Sequence, residues 1–374
     1  ARLKRAIVSV INDLSTDQRV HKHCMLLSNL GYDVLLIGRQ KSDSIPLDKR
    51  PYNTHRMQLP FEKGPLFYAC YNLALFLNLL TRKSSLLFSN DLDTLLPNFL
   101  ASRILGGKLI YDSHEFFTEV PELVSRPRVQ SIWKKLEYWI LPKLKNTLTV
   151  NGSIAGLYKQ EYGADMLVVR NIPSAVNQSI SKKSRTELGL PENKKLIILQ
   201  GSGINVDRGA EESVEAMQYL ENAVLLIIGS GDVIPDLKQR VIKLNLKDRV
   251  LFKDRMPYQE MMAHTNLADL GLTLDKDTNI NYRFSLPNKV FDYIHAGIPV
   301  LASNLVEVKK VVEEFDFGEI AANHNPKDLA RKIDEMLKSD KVEFWKANSV
   351  KASKELSWEK ETELLKSMIE KIDG

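Results

Sequence analysis

The chain of 374 residues has only two cysteines, Cys24 and Cys70. Two thiols cannot form a disulfide framework, so a reducing, cytoplasmic setting is expected. No run is long and apolar enough for a transmembrane helix. The most apolar stretch, Leu66–Leu80, is short and contains Asn72 and Asn78. Its flanking Lys63 and Arg82-Lys83 would suit an interfacial helix, and contact with the inner face of the cell membrane stays open. A buried helix is the simpler expectation. No secretory leader is visible, and the sequence starts at Ala1 without Met. The histidines form no i,i+4 zinc pair. Asn90-Asp91-Leu92-Asp93 finds no further ligands at a suitable spacing, and Asp93 is expected to cap a helix instead. No metal and no other cofactor is therefore expected. A nucleophile elbow and a Walker lysine loop are also missing.

What is present is a chain with 44% hydrophobic and 26% charged residues, as in soluble globular proteins. Its length suits two domains. The net charge of +5 is unevenly spread. Residues 1–175 carry 23 Lys/Arg against 15 Asp/Glu, whereas residues 176–374 carry 29 against 32. A basic first half suits an anionic partner such as a membrane surface or a lipid-linked phosphate. No RNA- or DNA-binding signature accompanies it, so nucleic acid is not an expected partner.

Short β-rich runs alternate with longer helical periods throughout. Strands are predicted at Ala6–Ile11, Asp33–Ile37, Ser85–Phe88, Lys108–Tyr111, Thr147–Val150 and Leu167–Val169. A second set follows at Leu196–Gln200, Ala223–Ile228, Arg249–Phe252, Asp269–Leu272, Pro299–Ala302 and Gly318–Ile320. Helical stretches include Gln18–Leu30, Thr94–Leu105 and Trp133–Leu144. Two βαβα series imply an α/β protein with two Rossmann-like, doubly wound domains facing a central cleft. The polar stretch Ser174–Arg185 reads as a linker, giving domains at residues 1–173 and 174–356. A closing helix within residues 357–374 would cross back to the first domain. In such folds ligands bind beyond the carboxyl ends of the strands.

The most informative stretch is Ser285–Val300 (SLPNKVFDYIHAGIPV). It reads as a loop, a short helix opening on Pro287-Asn288-Lys289, a glycine stop and a buried strand. A helix N-terminus beside an ammonium is an anion site, and Asp292, one turn in, can accept from a sugar hydroxyl. Gly201-Ser202-Gly203 follows a predicted strand and leads to Arg208, whose guanidinium can fork onto phosphate oxygens. Gly229-Ser230-Gly231-Asp232 follows the next strand. Three strand-end loops of this kind fit a nucleoside diphosphate. In the first half, Tyr111-Asp112-Ser113-His114-Glu115 also follows a strand. There His114 can bond a sugar or phosphate oxygen, with Asp112 or Glu115 fixing its tautomer, or it can be purely structural. Asp13, Asp17 and Arg19 lie after the first strand, where an acceptor could bind, though Asp17 also reads as a helix N-cap.

These segments together resemble the GT-B glycosyltransferases, specifically the retaining bacterial "glycosyl transferases group 1", over essentially the whole chain. Asp17-Gln18-Arg19-Val20, Tyr111–Glu115 and Val169–Pro173 are similar to motifs of that family's first domain. Gln200–Gly209, Ile228–Asp232 and Ser285–Val300 look like its phosphate loop, its nucleotide-lining G-x-G and its S-L-P-N-K signature. The resemblance implies metal-independent, retaining transfer of a sugar from a nucleoside-diphosphate sugar to a glycan or lipid-linked acceptor, in bacterial surface polysaccharide synthesis. It implies phosphate contacts from Arg208 and Lys289 and a donor-sugar contact from His114. Gly201, Gly203, Gly229, Gly231, Asp232, Leu286, Pro287, Asn288 and Asp292 would line the nucleotide, with Asp292 on the ribose. Asp13, Arg19 and Glu115 would face the acceptor. Phe284 and Ser202 stand where many members have a glutamate and an arginine, and Asn12–Thr16 replaces a glycine-rich loop. A nucleotide-sugar 2-epimerase of the same fold, or a non-catalytic nucleotide-sugar-binding subunit, are the alternatives.

Overall fold

The computed structural model describes residues 4–14, 17–42, 44, 46–47, 49–174 and 183–373. The chain divides into two compact units, Ala1–Arg170 with Leu364–Gly374, and Asn171–Glu363. The first boundary falls three residues before the expected one at residue 173. Most of the expected linker, residues 175–182, lies outside the described residues.

The first unit contains a seven-stranded parallel sheet. Its strands are β1 (Arg5–Asp13), β2 (Asp33–Gln40), β3 (Asn53–Gln58), β4 (Leu86–Asn90), β5 (Lys108–Ser113), β6 (Asn146–Thr149) and β7 (Leu167–Val168). They run in the order β3-β2-β1-β4-β5-β6-β7. Ala6, Ile7 and Val8 of β1 are fully enclosed, as expected for a central strand covered on both faces. β3 escaped the sequence pattern because Asn-Thr-His-Arg-Met-Gln has no apolar run. It is an edge strand, and its polar side chains need not be buried. Asp17 caps the helix Gln18–Asn29 by accepting from the Val20 amide at 3.1 Å.

Two expectations need correction here. The helix after β4 spans Leu92–Leu105, so Asp91, not Asp93, occupies the cap position. Asp93 is a buried first-turn residue, and burial, reinforced by Asp91, raises its pKa well above the usual carboxylate range. The apolar run forms the helix Gly64–Leu80, but it is not buried all round. Only the stripe Phe67, Tyr71, Leu75 and Leu79 is enclosed, while Leu66, Leu73 and Leu77 are exposed.

The second unit contains a six-stranded parallel sheet. Its strands are β8 (Lys195–Gly201), β9 (Ala223–Gly229), β10 (Val250–Lys253), β11 (Leu270–Thr273), β12 (Val300–Ala302) and β13 (Gly318–Ile320). Their order is β10-β9-β8-β11-β12-β13. Period-two alternation splits its core into two layers. Ile197, Leu199, Leu225 and Ile227 pack with Val214, Leu237, Leu329 and Trp345 on one face. Leu196, Ile198, Val224 and Leu226 pack with Val290, Ile294, Val308 and Ala352 on the other. Strand order reverses between β8 and β11, so the loops after these strands diverge at a switch point, where doubly wound sheets open a crevice.

The last helix, Trp358–Asp373, starts in the second unit, where the Trp358 amide donates to the Pro173 carbonyl at 3.0 Å. Its final residues count with the first unit, where Asp373 accepts from the Tyr32 hydroxyl at 2.5 Å.

Candidate functional site

In the second unit the switch point gathers two cations around one carboxylate. Arg208, in the loop after β8, donates through Nη1 to Asp275 Oδ2 at 3.0 Å. Its guanidinium also lies over the Tyr282 ring, 4.5 Å from the centroid. Lys289 Nζ is 3.9 Å from Asp275 Oδ1. Asp275 follows β11 and is 1% exposed. Burial pushes the Lys289 ammonium pKa down; Asp275 counters this, and Arg208 adds to it. Lys289 is the second residue of the helix Asn288–Ala296, whose cap is Pro287 and whose stop is Gly297 at φ +70°. Two cations and a nine-residue helix N-terminus thus belong to one corner of the sheet, a setting suited to a polyanion. Sequence reasoning missed Asp275; its place just beyond a central strand end was the available signal.

The glycines divide by role. A Cβ on Gly229 would lie 1.8 Å from the Gly201 carbonyl oxygen, and one on Gly231 would lie 2.0 Å from the Ile204 carbonyl oxygen. The loops after β8 and β9 are laced together by Ile204 N to Ser230 O (2.9 Å) and Ser230 N to Gly201 O (3.2 Å). Gly229 and Gly231 therefore serve backbone-to-backbone docking of two loops. Gly201 and Gly203 would meet nothing nearer than 3.9 Å, so space for a close ligand approach remains there. Asp232 is exposed, and its amide donates to Asn205 Oδ1 at 3.2 Å. Leu286 packs against the core layer under the helix, and Asn288 is exposed at its start.

Asp292 accepts from Gln200 Nε2 and from the Tyr258 hydroxyl, each at 3.0 Å. Gln200 in turn accepts from Thr265 Oγ1 at 2.6 Å, which fixes its amide orientation. Burial and the adjacent Asp292 raise the Tyr258 phenol pKa, keeping it a donor. Gln200 and Tyr258 thus hold the carboxylate that the signature places one turn into the helix.

The first unit has its own polar cluster at the strand ends. Arg19 forms a bidentate pair with Asp112, at 2.8 Å from Nε and 2.7 Å from Nη2, and donates to the Val169 carbonyl at 2.8 Å. His114 has Nδ1 3.2 Å from Asp91 and Nε2 3.2 Å from Asp112, and its amide donates to Asp91 at 2.8 Å. Burial opposes charge on this ring, but Asp91 and Asp112 raise its pKa to about 9. The two carboxylates thus favour the imidazolium form, in which both ring nitrogens are donors. Asp91 sits at φ +61°, a costly conformation for a non-glycine residue that also aims its carboxylate at His114. Deeper in the cluster, burial pushes the pKa of His23 down to about 3, although Asp112 lies 3.4 Å away. Asp112 and Asp91 orient His114; the Glu115 carbonyl instead accepts from Ser113 Oγ at 2.6 Å. Arg19 is 3% exposed and braces the cluster. Asp13 accepts from Arg56 at 2.7 Å and from Ser44.

Comparison with known proteins places this arrangement. The family model described as "Glycosyl transferases group 1" matches residues 180–352. This segment, a little under half of the chain, is similar to the group 1 glycosyltransferases. Beyond the matched segment the likeness is one of fold. Sucrose-phosphate synthase from Thermosynechococcus elongatus superposes with a TM-score of 0.80 at 16% identity, covering 99% of each chain. Anabaena HepE, solved with UDP-glucose, superposes with a TM-score of 0.74 at 14% identity, covering 98% of this chain and 99% of that one. Both carry the GT-B fold of two parallel-sheet α/β domains, which is also the fold of this chain. The 2-deoxystreptamine glucosyltransferase of Streptomyces kanamyceticus is 24% identical over 54% of this chain and 54% of its own length. The match thus spans about half of that relative.

Proposed function

We propose that this protein is a metal-independent, retaining glycosyltransferase that moves a sugar from a nucleoside-diphosphate donor to a glycan or lipid-linked acceptor, in bacterial surface polysaccharide synthesis. The convergence of Arg208 and Lys289 on Asp275 beside a helix N-terminus carries this reading. When the sugar departs, negative charge grows on the diphosphate oxygens. Cations and amide dipoles already aimed at that place stabilise it without reorganisation. The same charges lower the barrier for leaving-group departure, the step a retaining transfer shares with any loose glycosyl substitution. Asp292, steadied by Gln200 and Tyr258, accepts from the ribose hydroxyls. His114, held as a cation, exchanges one of its carboxylate partners for an oxygen of the donor sugar and donates to it.

UDP-glucose is the first donor to test, because a structural neighbour of the same fold was solved with it. Donor turnover with an acceptor panel, in EDTA, is the decisive assay, with the product's anomeric configuration read by NMR. Donor conversion without an acceptor would replace this reading with an epimerase. Binding without any turnover would replace it with a binding subunit. Arg208→Ala and Lys289→Ala are each expected to lower turnover by roughly ten- to a thousand-fold through loss of a charge-assisted phosphate contact.

A further inference from the structure

The helix Gly64–Leu80 contains no charged residue, and the face it turns away from the first unit is as apolar as the face it buries. Leu66, Leu73 and Leu77 are 60%, 60% and 53% exposed. A surface helix of a water-facing protein normally places polar residues there. The helix Pro127–Ile140 meets the first turns of this helix through an edge-on contact of Tyr68 with Trp133 at 5.5 Å. It adds Ile132 and Trp139, 66% and 46% exposed.

The charges around these side chains are mostly cationic, with Glu62 and Glu122 the exposed acids near the start of the first helix. Arg128 and Lys135 share the outward stripe of the second helix with Ile132 and Trp139, at helical spacing. Lys143 extends that stripe and lies 4.9 Å from the Trp139 ring. The only acid within this helix, Glu137, is fully buried against Tyr158 and Tyr162. Lys63 precedes the first helix, and Arg82 and Lys83 follow it.

We infer that this two-helix face is a docking surface for an anionic lipid bilayer, with Leu66, Leu73, Leu77, Ile132 and Trp139 entering the headgroup boundary and the flanking Lys and Arg meeting lipid phosphates. An exposed apolar patch edged by six cations, Lys63, Arg82, Lys83, Arg128, Lys135 and Lys143, and by fewer acids complements an anionic interface on both counts. A second copy of the chain would bring like charges together, which argues against self-association through this face. No helix among the described residues is long and apolar enough to span a membrane, so the attachment is peripheral. The inference is independent of the transfer reaction, since binding to vesicles requires neither donor nor acceptor.

The test is co-sedimentation of the full chain with phosphatidylcholine vesicles and with vesicles in which about a quarter of the lipid is phosphatidylglycerol. Binding is expected only to the anionic vesicles, and it should weaken at least about tenfold in roughly 0.5 M salt. Leu73→Gln/Leu77→Gln and Lys135→Glu/Lys143→Glu should each reduce partitioning by about tenfold or more, with unchanged melting temperature and UDP-induced thermal shift. Equal binding to neutral vesicles, unaltered partitioning of both well-folded variants, or a concentration-dependent dimer abolished by these substitutions would overturn the inference.

Discussion

Asp112 receives two parallel hydrogen bonds from Arg19, at 2.7 and 2.8 Å, in a pair that is 3% and 0% exposed on its two sides. Burial alone would raise the Asp112 pKa, yet Arg19 and His114 hold it well below the usual carboxylate range. The carboxylate therefore stays ionised and organises the first unit's strand ends. Replacing Arg19 with Met should cost about 3–5 kcal/mol, because it leaves a buried charge without its main partner. Urea unfolding monitored on the first unit's tryptophans checks this. A loss below about 1 kcal/mol would mean that the pair is not a bracing contact.

His114 gives a pH signature. Its ordinary pKa is 6.5, and in the folded chain burial lowers it but Asp91 and Asp112 raise it further, to about 9. The folded state holds the proton more tightly than the unfolded one, so this contribution is complete below pH 6.5 and fades as pH rises through 9. The stability gap between wild type and His114→Gln should be widest near pH 6 and shrink towards roughly pH 10. A gap that is constant across that range would show that the imidazole is uncharged throughout.

Gly231 and Gly203 make a paired test. An added methyl at Gly231 must displace the Ile204 carbonyl, whereas at Gly203 the nearest atom is Asn205 Nδ2 at 3.9 Å. Gly231→Ala should lower the melting temperature by several degrees, corresponding to roughly 1–3 kcal/mol, and weaken nucleotide binding. Gly203→Ala should leave the fold intact, so any loss of nucleotide affinity would report on ligand proximity. Equal melting of Gly231→Ala and wild type would show that the two loops are not docked as described.

Asp275 is the counter-charge of the unliganded site. Asp275→Asn should lower the melting temperature, because Arg208 and a buried Lys289 lose the carboxylate between them. A nucleoside diphosphate would then supply the missing negative charge, so the thermal shift on adding UDP should be larger in the variant than in wild type. Identical melting and identical shifts would remove Asp275 from the anion site.

Where the backbone itself imposed a pattern, it could be read from the residues. Central strands buried on both faces need continuous apolar runs, and the other edge strands carry short ones, so twelve strands were visible. β3 was missed because its edge position lets it do without one. The helix Asn288–Ala296, its Pro287 entry and its Gly297 stop were legible for the same local reason. Asp93 was misassigned because Asp91 and Asp93 are equally plausible caps by composition, and the contact of Asp91 with His114, 23 residues away, is not a local feature.

The amino-acid order by itself determined the alternating α/β architecture, the positions of the strand-end loops and the presence of Arg208, Lys289, Asp292 and His114 on them. These are local matters of periodicity, capping and turn chemistry. Only the tertiary structure decided which groups meet. It brought Asp275 between Arg208 and Lys289, Gln200 and Tyr258 onto Asp292, and Asp91 and Asp112 onto opposite nitrogens of His114. It also left one side of an apolar helix uncovered. Such pairings join residues up to 92 positions apart, and no local pattern encodes which strand ends a sheet will set side by side.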